Sequence, residues 1–356
     1  MIATPAVRLA VDAGSLAIDR RGMGRLARGV LRAAAERGDI DLVLLADRRD
    51  HRDALVAEFP YAVAATKTAR RRDRYDVVWF PFNGMRYAAF APSLVSIHDA
   101  FAFSIPHREP IARAREQRPI RRAARDATRV LAHSLWARDE IERHLAIPPD
   151  RIATIAPSPD PFWFPAGGDV LPTGIAGKRF ALFVGPSEGR KNVRVAIDAC
   201  ARALRETGAM LVIVGALSPQ DRAYARARDV RAGEIEASDT VLRALYRNAE
   251  FVLVPSFAEG FGLVAMEAMA CGAAVLAADA SALPESTDGA AVLIDPRDVG
   301  MWAGAIATLL DDPARLAALR ERATTRFAFV DRTSYGRAVT ALLHELARTG
   351  RGVSRA

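Results

Sequence analysis

Cysteine is nearly absent from this chain: Cys200 and Cys271 are the two that its 356 residues contain. Far apart in sequence, they exclude a disulfide framework and offer no zinc-ligand spacing. Long apolar runs are missing as well, and nothing approaches the roughly 20 residues that span a bilayer. The start of the chain leads directly into a strand pattern at Val7 and lacks the apolar core of a signal peptide. A cytoplasmic location is the expectation that follows. There is no internal repeat and no low-complexity tract. Asp39-Ile40-Asp41 has D-x-D spacing, but it introduces a strand and is expected to be solvated rather than metal-binding.

What is present is the composition of a soluble globular protein, 51% hydrophobic and 26% charged. At roughly 100–200 residues per domain, the length predicts two domains. Charge is unevenly shared: residues 1–165 carry 27 Arg and Lys against 20 Asp and Glu, residues 166–356 carry 23 against 22. Such an excess suits an anionic partner for the first half, or reflects an Arg-rich and Ala-rich compositional habit. Arg70-Arg71-Arg72-Asp73-Arg74 reads as a small basic loop.

Apolar strand-like runs alternate with helical stretches, the pattern of doubly wound α/β layers. In the first half they are Val7–Asp12, Leu42–Ala46, Val77–Phe80, Leu94–His98 and Val130–His133. A Pro-, Gly- and Asp-rich segment from Ala156 to Gly177 reads as an interdomain linker, with the domains taken as 1–165 and 166–332. The second series is Phe180–Gly185, Met210–Gly215, Phe251–Pro255, Ala274–Ala277 and Ala291–Ile294, with helices near 193–207, 239–249, 261–271 and 299–310. Two such halves are expected to place the carboxyl ends of both sheets around one cleft.

The most informative stretch is Glu259-Gly260-Phe261-Gly262-Leu263-Val264-Ala265-Met266-Glu267, directly after the run Phe251–Ser256. One carboxylate falls in a strand-to-helix loop and the second inside the following helix, which ends at Cys271-Gly272 as a C-cap requires. The glycines permit close backbone approach, and the helix start offers N–H groups to an anion. Carboxylates accept from hydroxyls, so a sugar nucleotide, with hydroxyls on both sides of its phosphates, suits the layout. Upstream, Gly185-Pro186-Ser187-Glu188-Gly189-Arg190-Lys191-Asn192 puts two cations at a helix start after a strand. Guanidinium fork, ammonium and backbone N–H groups together suit a diphosphate, although the spacing is not that of a Walker A loop.

These segments resemble the retaining glycosyltransferases of family 4, whose two Rossmann-like domains make the GT-B fold. The family carries E-G-F-G-L-x-x-x-E-A-M-A-C-G, and Val264 stands where it often has Pro. The resemblance implies that Glu259 contacts the donor sugar and Glu267 the ribose, with Phe261, Gly262 and Leu263 between them. It implies that Arg190 and Lys191 meet the donor diphosphate, beside Gly185. Gly22-Met23-Gly24-Arg25 is similar to the family's G-I-G-R loop, which implies phosphate or acceptor contact for Gly24 and Arg25. Ser96-Ile97-His98-Asp99 resembles its I-H-D segment, whose His contacts the donor sugar; Asp99 is expected to orient the His98 ring. Ser134 resembles a family helix cap and is read as an N-cap. Ala156-Pro157-Ser158-Pro159-Asp160 lacks the family's Asn-Gly, which leaves the acceptor side of the hinge open.

The resemblance implies hexose transfer from a nucleotide diphosphate sugar to a carbohydrate or lipid-linked acceptor with retention, no metal and no cofactor. The loop combination resembles mannosyltransferases of surface-polysaccharide assembly, with GDP-mannose as the donor this suggests. A non-catalytic sugar-nucleotide-binding protein and a GT-B epimerase relative are the alternatives. The helix 333–350 is expected to cross back to the first domain. Finally, Arg108–Arg129 holds eight arginines, at 108, 113, 115, 118, 121, 122, 125 and 129. Pro119 is expected to kink or restart the helix there. Arg118, Arg121, Arg122, Arg125 and Arg129 share a side, so peripheral docking on an anionic membrane is expected; no nucleic acid is.

Overall fold

The computed structural model describes residues 6–68, 73–105, 109–168, 170–204 and 207–353. They form two compact units, one running to Asp160 and resumed from Asp331, the other Pro161–Val330. Arg70, Arg71, Arg72 and Arg108 lie outside the described residues.

The first unit holds strands β1 (Val7–Asp12), β2 (Ile40–Leu45), β3 (Val63–Ala65), β4 (Val77–Phe80), β5 (Ser93–Ser96), β6 (Arg129–Ala132) and β7 (Ile152–Thr154). Its helices are α1 (Gly22–Arg37), α2 (Arg49–Glu58), α3 (Phe101–Ser104), α4 (Pro110–Asp126) and α5 (Leu135–Leu145). The strands pair in parallel in the order β3-β2-β1-β4-β5-β6-β7. Residues 77–80 and 93–96 are buried throughout, as central strands are when helices cover both faces of a sheet, Ser93 and Ser96 included. Ser134 caps α5, its Oγ accepting from Ala137 N at 2.9 Å.

The second unit holds β8 (Phe180–Val184), β9 (Met210–Val214), β10 (Ala232–Ile235), β11 (Phe251–Val254), β12 (Val275–Ala278) and β13 (Val292–Ile294). Helices α6 (Val193–Ala203), α7 (Pro219–Ala227), α8 (Asp239–Asn248), α9 (Leu263–Ala270), α10 (Leu283–Thr287), α11 (Val299–Asp311) and α12 (Pro313–Ala328) accompany them. The sheet order is β10-β9-β8-β11-β12-β13, again all parallel. The last helix, α13 (Ser334–Val353), returns to the first unit, where Thr340 Oγ1 lies 3.4 Å from the Val30 carbonyl of α1.

Each sheet reverses its winding once, between β1 and β4 and between β8 and β11. Loops leaving such a pair diverge to opposite faces, so a crevice opens at the carboxyl ends of those strands.

Two expectations change. Residues 161–165, assigned to the first domain, pack with the second, because Trp163 is 1% exposed and meets Tyr246 edge-on at 5.6 Å. Helix α4 also runs through Pro119 without restarting there, and Met85 N donates to the Pro119 carbonyl at 2.9 Å. Part of the arginine cluster serves the chain itself. Arg113 donates to the Ala102 and Phe103 carbonyls, Arg122 to the Arg86 carbonyl, and Arg125 to both oxygens of Asp126.

Candidate active site

At the crevice of the second sheet, the loops after β8 and β11 are tied together. After β8 the chain turns through Gly185, at φ +147°, and a single 3-10 turn, Gly189–Lys191. Asn192 then takes a left-handed conformation at φ +56°. Its Nδ2 donates to the Pro255 carbonyl at 3.0 Å and the Pro296 carbonyl at 2.7 Å. Phe257 N donates to the Arg190 carbonyl at 2.7 Å, so the two loops hold each other in register.

This brings Lys191 to Glu259. Lys191 Nζ lies 2.7 Å from Glu259 Oε1, which also accepts from Ser256 Oγ at 2.8 Å. Arg190 Nη1 is 3.4 Å from Glu259 Oε2, and its Nη2 is 2.8 Å from Glu188 Oε2. Lys191 is 9% exposed and Glu259 8%. Burial pushes the Glu259 carboxyl up, but the charges of Lys191 and Arg190 and the bonds from Lys191 and Ser256 outweigh it, so its pKa is lowered. Glu259 therefore stays ionised at neutral pH. Two cations face two carboxylates here, and an incoming diphosphate competes for donors that the loop now satisfies internally.

Gly262 opens α9 at φ +102°, and a Cβ there would lie 2.8 Å from Leu283 Cδ2 and 2.9 Å from Ser286 Oγ. Only glycine enters this turn unstrained. Helix α9 thus starts at Leu263 rather than at Phe261, with its first-turn N–H groups at the mouth of the crevice. Both Phe261 and Leu263 are half-buried. Glu267 points inward, 4% exposed, with the Tyr246 hydroxyl 3.4 Å from its Oε2. Gly272 ends the helix at φ +80°.

In the first unit His98 follows β5. Its N–H donates to Asn83 Oδ1 at 2.7 Å, and its Nε2 lies 2.8 Å from the Pro81 carbonyl. A carbonyl only accepts, so Nε2 carries the ring proton and Nδ1 is left as an acceptor. Burial lowers the His98 pKa to about 4, and the ring is neutral at physiological pH. Pro81 orients this ring; Asp99, expected in that role, instead has its Oδ1 on Phe101 N at 3.2 Å. Gly24 has a packing reason of its own, since a Cβ there would lie 2.1 Å from the Asp19 carbonyl oxygen. Arg25, next to it, is half-buried. A cavity of about 670 Å³ opens nearby, lined among others by Ile18, Met23, Phe82, Asn83, Asp99 and Phe101.

Among the described residues no group of three or more His, Cys, Asp or Glu is placed to hold a metal ion. Asp39 and Asp41 pair with Arg37, at 2.8 Å, and Arg8, at 3.2 Å, as surface ion pairs. Sequence reasoning missed Ser256, Asn192, Ser281, whose Oγ accepts from Glu259 N at 2.9 Å, and Tyr246. Ser256 stands three residues before Glu259 in the same loop and carried a local signal; Tyr246 meets Glu267 only through tertiary packing.

The family model of the Glycosyl transferases group 1 matches residues 178–312, the span that contains this crevice. The O-antigen chain mannosyltransferase B of Escherichia coli is 30% identical over 269 residues, 72% of this chain and 70% of that protein. The chain belongs to the group 1 glycosyltransferases. A D-inositol 3-phosphate glycosyltransferase of Thermobispora bispora is 34% identical over 215 residues, 54% of this chain and half (50%) of the relative's own length. Among solved structures, Anabaena HepE in complex with UDP and glucose aligns at a TM-score of 0.74 and 17% identity, over 95% of this chain and 100% of that one. At that identity the likeness is one of fold, and with the two parallel sheets it makes this glycosyltransferase a GT-B protein. No described helix is long and apolar enough to cross a membrane.

Proposed function

We propose that this glycosyltransferase moves a hexose from a nucleotide diphosphate sugar to an acceptor hydroxyl with retention at the anomeric carbon. The observation that carries this reading is the buried Lys191–Glu259 pair, with Arg190 beside it, at the winding reversal of the second sheet. Arg190, Lys191 and the α9 N–H groups next to Gly262 stabilise charge on the leaving diphosphate. Glu259 takes the sugar hydroxyls and Glu267 the ribose. The roles that resemblance implies for Gly24, Arg25, Gly185 and His98 belong to the same proposal. The HepE structure holds UDP and glucose, and the E. coli relative is named a mannosyltransferase of O-antigen; both support a nucleotide-hexose donor, mannose and surface polysaccharide included.

Thermal shift with UDP, GDP and ADP tests donor binding. The correct diphosphate at 100 times its dissociation constant stabilises by about 2.7 kcal/mol. No shift with any of the three removes the reading.

Because cationic side chains and helix N–H groups meet the diphosphate, metal-independent turnover is part of the proposal. Rates in excess EDTA should equal rates with added magnesium or manganese; loss in EDTA that metal restores sinks this part.

The proposal also includes peripheral docking on anionic lipid through the exposed α4 arginines Arg115, Arg118 and Arg121. Each arginine near such a surface is worth about 1 kcal/mol. Sedimentation with anionic liposomes at low salt, reversed at high salt, is the expected result. Equal recovery in the supernatant under all conditions would assign these arginines to solubility.

A further inference from the structure

Glu267 sits buried in the second turn of α9, and a buried carboxylate is costly unless donors meet it. One donor comes from a different helix: the Tyr246 hydroxyl, from α8, lies 3.4 Å from Glu267 Oε2. Tyr246 is wholly buried, and Trp163 meets its ring edge-on. Trp163 belongs to the segment just after Asp160, where the chain leaves the first unit. That segment is pinned along α8. Arg243 Nη1 donates to the Phe162 carbonyl at 3.0 Å and Arg247 Nε to the Phe164 carbonyl at 2.8 Å. Their guanidiniums also lie over the Phe162 and Phe164 rings, at 4.1 and 4.6 Å.

A phenylalanine would fill the same space as Tyr246; the hydroxyl adds reach to one carboxylate oxygen. We infer that Tyr246 is a positioning residue, which turns the Glu267 carboxylate toward the nucleotide ribose, and that Trp163 sets the Tyr246 ring for this task. The inference rests on the proposed reading that Glu267 accepts from the ribose hydroxyls. At 3.4 Å the bond is longer than a usual O–H···O contact of about 2.7 Å, so it orients the carboxylate with a weak hold. The segment that joins the units thereby becomes part of the support for the nucleotide site.

The test compares affinities for UDP, GDP and ADP with those for their 2′,3′-dideoxy counterparts, by calorimetry, using whichever base binds tightest. Wild type, Tyr246→Phe and Tyr224→Phe are measured. Tyr224 is the control, its hydroxyl bonding Asp198 at 2.7 Å elsewhere in the unit. Wild type should prefer the ribose form by about tenfold or more, and Tyr246→Phe should shrink that preference about three- to tenfold. The change should come from weaker ribose-form binding, with dideoxy affinity and the Tyr224→Phe preference unchanged. A wild-type protein without ribose preference overturns the reading of Glu267, and this inference with it. A wild-type preference that Tyr246→Phe retains, or equal weakening of both forms, overturns the inference alone.

Discussion

Lys191→Ala and Glu259→Ala each lower the transfer rate about 100- to 1,000-fold, the usual cost of removing one charged contact to a developing anion or its sugar. From sequence alone, both truncations are expected to leave the fold intact, as surface ligand contacts would. The structure corrects that expectation. Both residues are buried and face each other at 2.7 Å, so removing either leaves an uncompensated charge. Breaking a buried pair this way costs about 3–5 kcal/mol, and for Lys191→Ala the lower end applies because Arg190 and Ser256 still reach Glu259. The shape-conserving Lys191→Met and Glu259→Gln variants, and the double variant, separate the two effects. In a double-mutant cycle the pair should lose less stability than the sum of the singles, while turnover stays low throughout. A folded single variant that retains more than half of wild-type turnover would remove the site assignment.

Acidification between pH 6.5 and 5 should destabilise the first unit through two neighbouring histidines. His98 and His133 lie with ring centroids 4.3 Å apart and planes tilted by 35°, and Tyr335 closes the cluster 5.7 Å from His133. Burial lowers the pKa of both, His98 to about 4; for His133 the charge of His98 adds to the effect. In the unfolded chain each titrates near about 6.5, so the unfolded state binds more protons below that value. Stability is therefore complete above pH 6.5 and falls as pH drops toward the folded pKa. Each histidine contributes up to about 1.4 kcal/mol per pH unit across this window. Carboxylates with lowered pKa, such as Glu259 and Glu58, lose their contribution only below about pH 4.5, so the two effects separate. Urea midpoints measured across the window should decline in wild type and decline less in His133→Phe and His98→Phe. Parallel curves for all three proteins would show that these rings titrate normally.

Much of the site was legible because its chemistry is local. The apolar runs that became β8 and β11, the cations just before Val193, and the glycine that opens α9 all carry their signal within a few residues. Helix α9 began two residues later than its apolar pattern suggested because Gly262 holds the left-handed turn at its start. The short strands β3, β7 and β10 escaped notice, since three or four residues without strict alternation take strand form only when a neighbouring strand pairs with them. Pro119 lies inside α4, where its carbonyl accepts from Met85, a residue 34 positions away that no local helix pattern announces.

The sequence by itself determined two α/β halves, the loop residues at strand ends and the family they resemble, because hydrophobic period and loop chemistry depend on near neighbours. Tertiary structure alone decided that β8 lies beside β11, and hence that Lys191 meets Glu259 from 68 residues away. It also decided that Glu259 is buried yet ionised, that Pro81 rather than Asp99 holds the His98 ring, and that Trp163 backs Tyr246. Strand order, burial and the partners of a buried charge come from packing between distant segments, and no spacing along one chain encodes them.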